Sequence, residues 1–346
     1  MQESEIRFLF DKIKKLRVGV IGDFAVDFYY DIQKTTGETS LETQKEVWWA
    51  SRPRTSLGGA GNVVQNLLAL EVASVKVFGA IGRDVNGREM LHLLQSQGVD
   101  TAGIRVQDKG WDTCTYTKPL LDNTEENRLD FGTHNILPDE DFEKILKSLR
   151  LQLAQLDVLI INQQFASPLI TKERVELLNQ ILPVYPQVHV LADMRTYGMA
   201  IRGATLKVNT EELARLLGRE AYRHWTSDDC EMYGRQLSDL IEGPVLITRG
   251  DQGMQYVHGE VNRQSAALPL KGELDTVGAG DTAVAAFAAC MGAHIPVVES
   301  LALANLASAV SVQKLNQTGS ATLEEIVEIV REQQAVAFQS PGDTLL

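Results

Sequence analysis

Cysteine is scarce in this chain. Only three occur in 346 residues, Cys114, Cys230 and Cys290, and no two of them form a CxxC pair. An odd number of widely spaced cysteines argues against a disulfide scaffold and fits a reducing compartment. We therefore expect three buried, unreactive thiols and a cytoplasmic protein.

Long apolar runs are lacking as well. No apolar stretch approaches the ~20 residues that a membrane-spanning helix needs. The N-terminal sequence MQESEIRFLFDKIKKLRVGVIGD has acidic residues early and leads straight into a strand-like segment, unlike a signal peptide. No membrane partner is expected.

Positive charge is in deficit. The formal net charge of −13 argues against a broad nucleic-acid surface, so any anionic ligand must be met by a few placed groups. The six histidines show no metal-ligand spacing, and both the Walker A sequence and a GxGxxG following a strand are absent. Phosphate binding therefore needs another scheme.

Short β-rich runs alternate with amphipathic helical patterns along most of the chain. Strands are predicted at 17–23, 74–82, 157–164, 188–194, 204–209 and 244–250, and helices at 60–71, 87–98, 142–155, 211–218 and 282–291. Buried strands that are each followed by a helix predict an α/β fold with a doubly wound parallel sheet. Ligands of such sheets bind beyond the carboxyl ends of the strands.

Two regions interrupt this alternation, at about 28–57 and 103–131. Their short alternating runs and turn signals predict antiparallel strands of a small accessory sheet inserted into a single domain of residues 1–346. A sheet that small must cover the main domain or pair with another subunit, and its edges favour a homodimer. The C-terminal SPGDTLL is expected to be a frayed tail.

The stretch DTVGAGDT, at 275–282, places three small residues between two aspartates at the start of a helix. Unpaired N–H groups and the helix dipole make such a turn an anion site when glycines allow close approach. The alternative is a tight turn in which Asp281 only caps the helix.

A second glycine-rich turn, GGAGNVVQN at 58–66, also leads into a helix and carries Asn62. Its amide can both donate to and accept from sugar hydroxyls, although an N-capping asparagine explains it equally well. The preceding GDFAVD adds Asp23 and Asp27, two carboxylates that can accept from hydroxyls.

Two further signals follow strands. In NTEE, Asn209 and Glu212 are three residues apart, which also fits a helix capping box. In ITRGDQGM, a buried strand ends at Thr248, Arg249 and Gly250.

Together, and in the order in which they follow one another along the chain, these five segments resemble the ribokinase-like (PfkB) carbohydrate kinase family over about residues 17–332. DTVGAGD matches the family signature DTxGAGD without a mismatch. The resemblance implies a three-layer α/β/α fold with a small β lid. It also implies a transferase that phosphorylates a sugar or sugar-phosphate hydroxyl with ATP and Mg²⁺, and monovalent-cation activation stays open.

The resemblance carries roles to individual residues. Asp281 would be the catalytic base, and the N–H groups of Gly278, Ala279 and Gly280 would hold the transferring phosphoryl group. Substrate binding would fall to Asp23, Asp27, Gly58, Gly59, Asn62 and Arg128. Nucleotide binding would fall to Asn209, Thr248, Gly250 and Asn305, and Glu212 would organise Mg²⁺ through water. Asp275 is expected to brace the loop.

Within the family, the likeness is greatest to heptose 7-phosphate kinases of ADP-heptose synthesis, and it rests on NRLDFG, ITRGDQGM, RGATLKVNTEE and ANLASAVSVQKLNQTGS. Their usual Ser-Asp-Tyr-x-Lys-Gly and DPK segments are replaced here by NQQFASPL and DMR, on the acceptor side. A phosphorylated acceptor needs basic partners, for which the candidates are Arg52, Arg54, Arg128 and Arg195. The alternatives are a kinase for another sugar or a nucleoside, and a catalytically silent regulator that binds sugar or nucleotide.

Overall fold

The computed structural model describes residues 1–220, 225–315 and 317–339, so the predicted tail at 340–346 lies outside the described residues. None of the helices in these ranges has the length and apolar character that a membrane crossing requires. The strands in the described ranges are β1 (Arg17–Gly22), β2 (Phe24–Gln33), β3 (Trp49–Gly59), β4 (Ser74–Gly82), β5 (Asp100–Gln107), β6 (Thr115–Leu121), β7 (Thr124–Glu125), β8 (Leu129–Phe131), β9 (Val158–Gln163), β10 (His189–Met194), β11 (Thr205–Asn209), β12 (Val245–Thr248), β13 (Met254–His258) and β14 (Val261–Ser265).

The helices separate these strands in the alternating pattern that the sequence predicts. The α-helices in the described ranges are α1 (Glu3–Ile13), α2 (Ala60–Ala69), α3 (Val85–Ser96), α4 (Asp139–Leu153), α5 (Lys172–Ile181), α6 (Thr210–Leu216), α7 (Ser227–Ile241), α8 (Ala279–Gly292), α9 (Val297–Ser311) and α10 (Leu323–Gln339).

A nine-stranded sheet occupies the middle layer, in the order β14-β13-β12-β11-β10-β9-β1-β4-β5. The strands from β12 to β5 run parallel, whereas β13 and β14 are antiparallel additions at one edge. The chain builds outward from β1 to β4 and β5, and then restarts at β9 on the other side of β1. The predicted doubly wound parallel sheet is confirmed, and its switch point lies between β1 and β9.

Two apolar cores cover the two faces of this sheet. Alternate side chains of one strand serve opposite cores, as Val158 and Ile160 do for one and Leu159 and Ile161 do for the other. The first core draws on α1, α2, α3, α8, α9 and α10, and the second on α4, α5, α6 and α7. This double burial explains why these strands read as continuous apolar runs.

The accessory sheet has the order β3-β2-β6-β7, with β8 also paired to β6. It is mixed: β2 pairs antiparallel with β3 but parallel with β6, so the predicted antiparallel sheet is corrected. Residues 103–107 were wrongly included in it, because they belong to β5, which pairs in parallel with β4 at the edge of the main sheet. The strands β13 and β14 were not predicted, and for β14 the reason is that its polar sequence VNRQS lacks an apolar face.

Candidate active site

A cavity of about 870 Å³ lies at the carboxyl ends of β11 and β12. Its lining includes the predicted Asn209, Thr248, Gly250, Gly280 and Asn305, which come from segments far apart in the sequence. Ala279 also faces it, and residues 267–270 add an apolar wall. The geometry therefore gathers the nucleotide-side candidates at one opening.

The segment 275–281 turns into α8 at one side of this cavity. Gly278 is the N-cap with φ +80°, and a side-chain carbon there would lie 2.5 Å from Thr318 Cγ2, so both conformation and space require glycine. The helix begins at Ala279, three residues earlier than predicted. Asp281 therefore lies in the first turn and is not the cap.

Other contacts shape the same turn. The N–H of Ala279 donates to Thr276 O at 3.2 Å, so this predicted phosphate donor already has a partner. The carboxylate of Asp275 accepts from the N–H of Val277 at 3.0 Å, which fits the predicted brace. Because first-turn N–H groups have no acceptor within their own helix, that of Gly280 can serve an anion.

Asp281 meets the second glycine turn across the site. Asn62, near the start of α2, donates from Nδ2 to Asp281 Oδ2 at 3.2 Å. The other amide atom, Asn62 Oδ1, is buried without a hydrogen-bond donor. A buried hydrogen-bond acceptor without a partner indicates that a bound ligand supplies the donor, and a sugar hydroxyl is such a donor.

Burial sets the acidity of Asp281. Loss of solvation and the negative charge of Asp193 raise its pKa to about 7, against the opposing effects of the Lys207 ammonium and the Asn62 hydrogen bond. The carboxylate of Asp27 also contributes to this upward shift of the pKa. A carboxyl with such a pKa can hold or release a proton near neutrality.

Asp27 belongs to a buried polar cluster on the accessory sheet. Its Oδ2 accepts from Lys118 Nζ at 2.9 Å, and Lys118 also donates to the hydroxyl of Tyr29 at 2.9 Å. Asp27 Oδ1 is buried without a partner, like Asn62 Oδ1. Sequence reasoning missed Lys118, since its position in the alternating strand TYTKPLL gave no sign that it faced inward.

The glycines of GGAGN have a structural reason. Gly59 takes φ +56°, and a side-chain carbon on it would lie 2.3 Å from Asp23 O. One on Gly58 would lie 2.7 Å from Asp27 Oδ1. Both residues thus let α2 start directly against β2, with Asn62 beside the acceptor cluster.

Asp23 has a different environment from the one expected. Its carboxylate, only 2% exposed, accepts from the N–H groups of Gln164, Phe165 and Leu169 at 2.7–3.0 Å. Burial raises its pKa to about 6 in spite of these bonds. The carboxylate fixes the segment after β9 and has little capacity left for a sugar hydroxyl.

NTEE forms the helix cap that its spacing allows. Asn209 Oδ1 accepts from the N–H of Glu212 at 2.7 Å, and Glu212 Oε2 accepts from the N–H of Asn209 at 2.8 Å. Among the described residues no group of three or more His, Cys, Asp or Glu could hold a metal. The donor set fits a Mg²⁺ bound mainly by phosphate and water, with the remaining Glu212 oxygen as a contact through water.

Lys207 and Asp193 lie beside that cap, and neither was a predicted site residue. Lys207 Nζ is 3.3 Å from Asp193 Oδ1 and 3.9 Å from Glu212 Oε2. Burial alone lowers the pKa of Lys207, but the surrounding carboxylates outweigh it and raise the pKa. The one available signal was a lysine in a strand otherwise buried, LKVN.

The remaining nucleotide-side residues already have protein contacts. Thr248 Oγ1 donates to Val208 O at 3.4 Å, and Gly250 takes φ +58° at the turn after β12. Asn305 Nδ2 donates to Ser265 O at 2.9 Å and to Ala266 O at 3.2 Å. Asn305 therefore holds the cavity wall that begins after β14.

The four candidate arginines are exposed, and none of them is part of the buried hydrogen-bonded cluster of Asp27, Tyr29 and Lys118 among the contacts described above. Arg128 pairs with Asp130 at 2.6 Å and lies over the Tyr116 ring, and Arg54 lies over Tyr29. Arg52 is 3.8 Å from Asp31. Arg195 follows β10, close enough to Tyr116 to act on its pKa.

The comparison with protein families decides what this site belongs to. The model of the pfkB family carbohydrate kinases matches residues 16–323. The chain belongs to the pfkB carbohydrate kinase family. It is thereby a phosphotransferase of the class that acts on sugar hydroxyls.

Named relatives of this pfkB kinase are bifunctional proteins. It is 30% identical over 339 residues to the bifunctional protein HldE of Trichlorobacter lovleyi, covering 95% of this chain and 66% of that protein. The HldE of Geotalea uraniireducens is 28% identical, with the same coverage. The chain thus spans just under two thirds of the length of these relatives.

Solved structures share the fold of this pfkB kinase. Phosphofructokinase-2 from Escherichia coli in complex with substrates and products superposes with a TM-score of 0.71 at 18% identity, over 92% of this chain and all of that one. Ribokinase from Arabidopsis thaliana, complexed with ribose and ATP, has a TM-score of 0.68 at 22% identity, over 92% and 99%. At these identities the likeness shows the ribokinase-like fold.

Proposed function

We propose that this pfkB kinase transfers the terminal phosphoryl group of ATP to a hydroxyl of a sugar phosphate, with Asp281 as the general base. The observation that carries the proposal is the position of Asp281. Its carboxylate has a pKa of about 7. It lies between a nucleotide-sized cavity and two buried oxygens, Asn62 Oδ1 and Asp27 Oδ1, that have no hydrogen-bond donor. In-line phosphoryl transfer requires a base at this place, between the nucleotide that gives the phosphoryl group and the hydroxyl that receives it.

The acceptor hydroxyl is held by the buried polar groups of the accessory sheet and α2. Asn62 Oδ1 and Asp27 Oδ1 accept hydrogen bonds from sugar hydroxyls, while Lys118 holds the Asp27 carboxylate at 2.9 Å. Asp281 accepts the proton of the attacking hydroxyl as its oxygen bonds to phosphorus. The bond from phosphorus to the bridging oxygen breaks, and its electron pair leaves with ADP.

The turn into α8 stabilises the charge on the moving phosphoryl group. Gly280, in the first turn of α8, lines the cavity, so its N–H and the N-terminal dipole of α8 are available to the phosphoryl group, and donors already fixed in place lose little to reorganisation. Thr248, Gly250 and Asn305 line the space for the nucleotide. Mg²⁺ bound with ATP would neutralise phosphate charge, and the oxygen of Glu212 outside the cap can contact it through water.

The leading acceptor is a heptose 7-phosphate, phosphorylated at the 1-hydroxyl. Its support is the identity of about 30% to proteins named HldE over nearly the whole chain. Arg54 and Arg128, stacked on aromatic rings at the accessory sheet, supply cations for an acceptor phosphate. Another sugar or a nucleoside is the alternative, since the acceptor-side segments NQQFASPL and DMR differ from the heptose kinase pattern.

A catalytically silent regulator is the second candidate function. The site gives it no support, because Asp281 and the turn at 278–280 are intact and Asp281 carries a base-like pKa. Binding of nucleotide without turnover on any acceptor is what that reading predicts.

An ADP-release assay over sugars, sugar phosphates and nucleosides tests the proposal. The wild type should turn over a heptose 7-phosphate, and Asp281→Asn should lower kcat by about 10²–10⁴-fold, since it removes the base. The matched control is Asp100→Asn on β5, a carboxylate that pairs with Lys76 outside the site. The control should keep wild-type turnover.

Each outcome of the assay has its own meaning. Turnover of a neutral hexose or a nucleoside, but not of a heptose 7-phosphate, overturns the heptose proposal alone. Tight nucleotide binding without turnover on any acceptor overturns the kinase proposal in favour of the regulator.

A further inference from the structure

Lys207 is a buried cation that the proposed mechanism leaves without a task. It is 7% exposed, yet it lines the nucleotide cavity near the end of β11. Three carboxylates surround it, those of Asp193, Glu212 and Asp281. A structural ion pair with Asp193 is the simplest explanation, so the geometry of that pair is the first question.

The pair is loosely made. Lys207 Nζ is 3.3 Å from Asp193 Oδ1 and 3.9 Å from Glu212 Oε2, longer than the ~2.7–2.9 Å of a well-formed ammonium–carboxylate bond. The other buried lysine of the site, Lys118, provides the comparison, because it bonds Asp27 and Tyr29 at 2.9 Å each. Lys207 is thus held less tightly by its carboxylates than Lys118 is by its two partners, which leaves Lys207 donor capacity for a further acceptor.

Gly280 is the residue next to the Lys207 ammonium on the side of α8. A side-chain carbon on Gly280 would lie 3.3 Å from Lys207 Nζ, with the lysine amine as its nearest neighbour. Unlike Gly278, Gly280 lies within α8 and does not have a positive φ, so a left-handed conformation does not require glycine there. The missing side chain leaves the ammonium and the first turn of α8 open to the same small volume at the cavity edge.

That volume needs a cation. Carboxylates of Asp193, Glu212 and Asp281 bring negative charge to the point where a phosphate must arrive, and like charges at short range oppose its binding. A lysine ammonium is a compact charge with three donors, suited to contact one phosphate oxygen while it keeps one carboxylate.

We propose that Lys207 is a catalytic residue that donates to a non-bridging oxygen of the phosphoryl group in transfer, opposite the N–H of Gly280. The inference rests on the proposed kinase function. Lys207 takes no proton in the step: the acceptor oxygen bonds to phosphorus, its proton goes to Asp281, and the bond to the bridging oxygen of ADP breaks. Asp193 holds the lysine at this position.

The test uses the affinity of the protein for ADP alone and for ADP with aluminium fluoride, which mimics the phosphoryl group in transfer. Lys207→Met should keep the affinity for ADP within about threefold and lose about 100-fold of the extra affinity that aluminium fluoride provides. In turnover, kcat should fall about 100-fold with little change in KM for ATP. Lys76→Met, which breaks the Lys76–Asp100 pair on β4, is the matched control and should change none of these values.

Further variants separate phosphoryl contact from structural support. Asp193→Asn should keep most of the extra affinity that aluminium fluoride provides. The double variant Asp193→Asn/Lys207→Met should lose this extra affinity, and it does so without leaving the Asp193 carboxylate buried and unpaired. The double variant also serves if Lys207→Met alone fails to fold. Circular dichroism confirms folding of each variant.

Two results would overturn the inference in different ways. A wild type without turnover on any acceptor removes the proposed function and this inference with it. An active wild type whose Lys207→Met variants keep the extra affinity for aluminium fluoride and the wild-type kcat removes the inference alone.

Discussion

The hydrogen bond between Asn62 and Asp281 links the acceptor side to the proposed base. It favours the ionised carboxylate and so holds the pKa of Asp281 down, against burial and Asp193. Because only the ionised form accepts a proton, activity should rise with pH through the pKa of the free enzyme. The pH at which this rise occurs, the acid limb of the pH profile, therefore reports the environment of Asp281.

Asn62→Ala should move this acid limb to higher pH. Wild-type kcat/KM should fall below about pH 7, and the variant should begin to fall at a higher pH because the bond that lowers the Asp281 pKa is gone. The measurement is kcat/KM against pH for both proteins. Asn66→Ala is the control, since the side-chain amide of Asn66 donates to the backbone oxygen of Asn62, and the acid limb of this variant should stay in place. A limb at unchanged pH in Asn62→Ala contradicts the assignment.

Asp281→Asn should stabilise the protein at pH 8 and not at pH 4. The folded pKa of about 7 lies above the ordinary value of 3.8, so folding favours the protonated form. Stability from this carboxyl is present at low pH and declines as pH rises from about 4 through 7, by a few kcal/mol in total. Asparagine is neutral throughout. Thermal unfolding of both proteins across pH measures the difference, and an equal Tm offset at both pH values would refute it.

At the scale of single elements, the start of α8 depends on one left-handed residue. Gly278 has φ +80° and no room for a side chain beside Thr318, whereas Gly98 has φ +77° with nothing within 4 Å. The two positions share backbone strain and differ in contacts. Comparing them separates the cost of conformation from the cost of displacing the loop.

Gly278→Ala should therefore lose activity as well as stability, and Gly98→Ala stability alone. Left-handed backbone costs a non-glycine residue about 1–2 kcal/mol, which both variants should show in denaturant unfolding. Only Gly278→Ala also pushes on Thr318 and shifts the first turn of α8, for which we expect a kcat loss of about 10²-fold. Equal kcat in both variants would show that the turn does not position the phosphoryl group.

Sequence patterns located elements where burial left a clear trace. Apolar runs such as VLIINQ predicted the central strands, because both faces of the parallel sheet are covered. The strand β5 was misplaced because its polar positions at the sheet edge look like those of an accessory strand. The parallel pairing of β2 with β6 joins residues about 90 apart, and no local pattern encodes it.

The candidate site divides in the same way. Asp281, Asn62 and Asn209 stand beside glycines or helix starts, so their sequence context marks them. Lys118 and Lys207 sit inside strands, where a lysine usually points to solvent, and only the tertiary structure brings carboxylates to them. Asp23 looked like a ligand residue, but its three partners come from a loop about 140 residues away.

At the scale of the whole molecule, we propose that one sheet binds the nucleotide and the other binds the acceptor. The main sheet and its helices carry the nucleotide cavity, and the accessory sheet carries Asp27, Tyr29 and Lys118. Its edge strand β3 spans 11 residues, and exposed apolar side chains lie on or beside this sheet. They are Leu41, Trp48, Trp49, Leu129 and Phe131. A long edge with exposed apolar groups favours association.

We therefore expect a homodimer that forms through the accessory sheet. Trp48 and Trp49 are 55% and 52% exposed, which leaves large apolar areas for a second copy to cover. Trp48→Ser/Trp49→Ser should shift the protein to monomer in sedimentation velocity over a range of loading concentrations. The control is Leu151→Ser/Val184→Ser, which removes two exposed apolar side chains away from the accessory sheet and should leave the dimer intact. A wild type that sediments as a monomer throughout, or a tryptophan variant that stays dimeric, would show that the accessory sheet serves only to cover the acceptor side of its own chain.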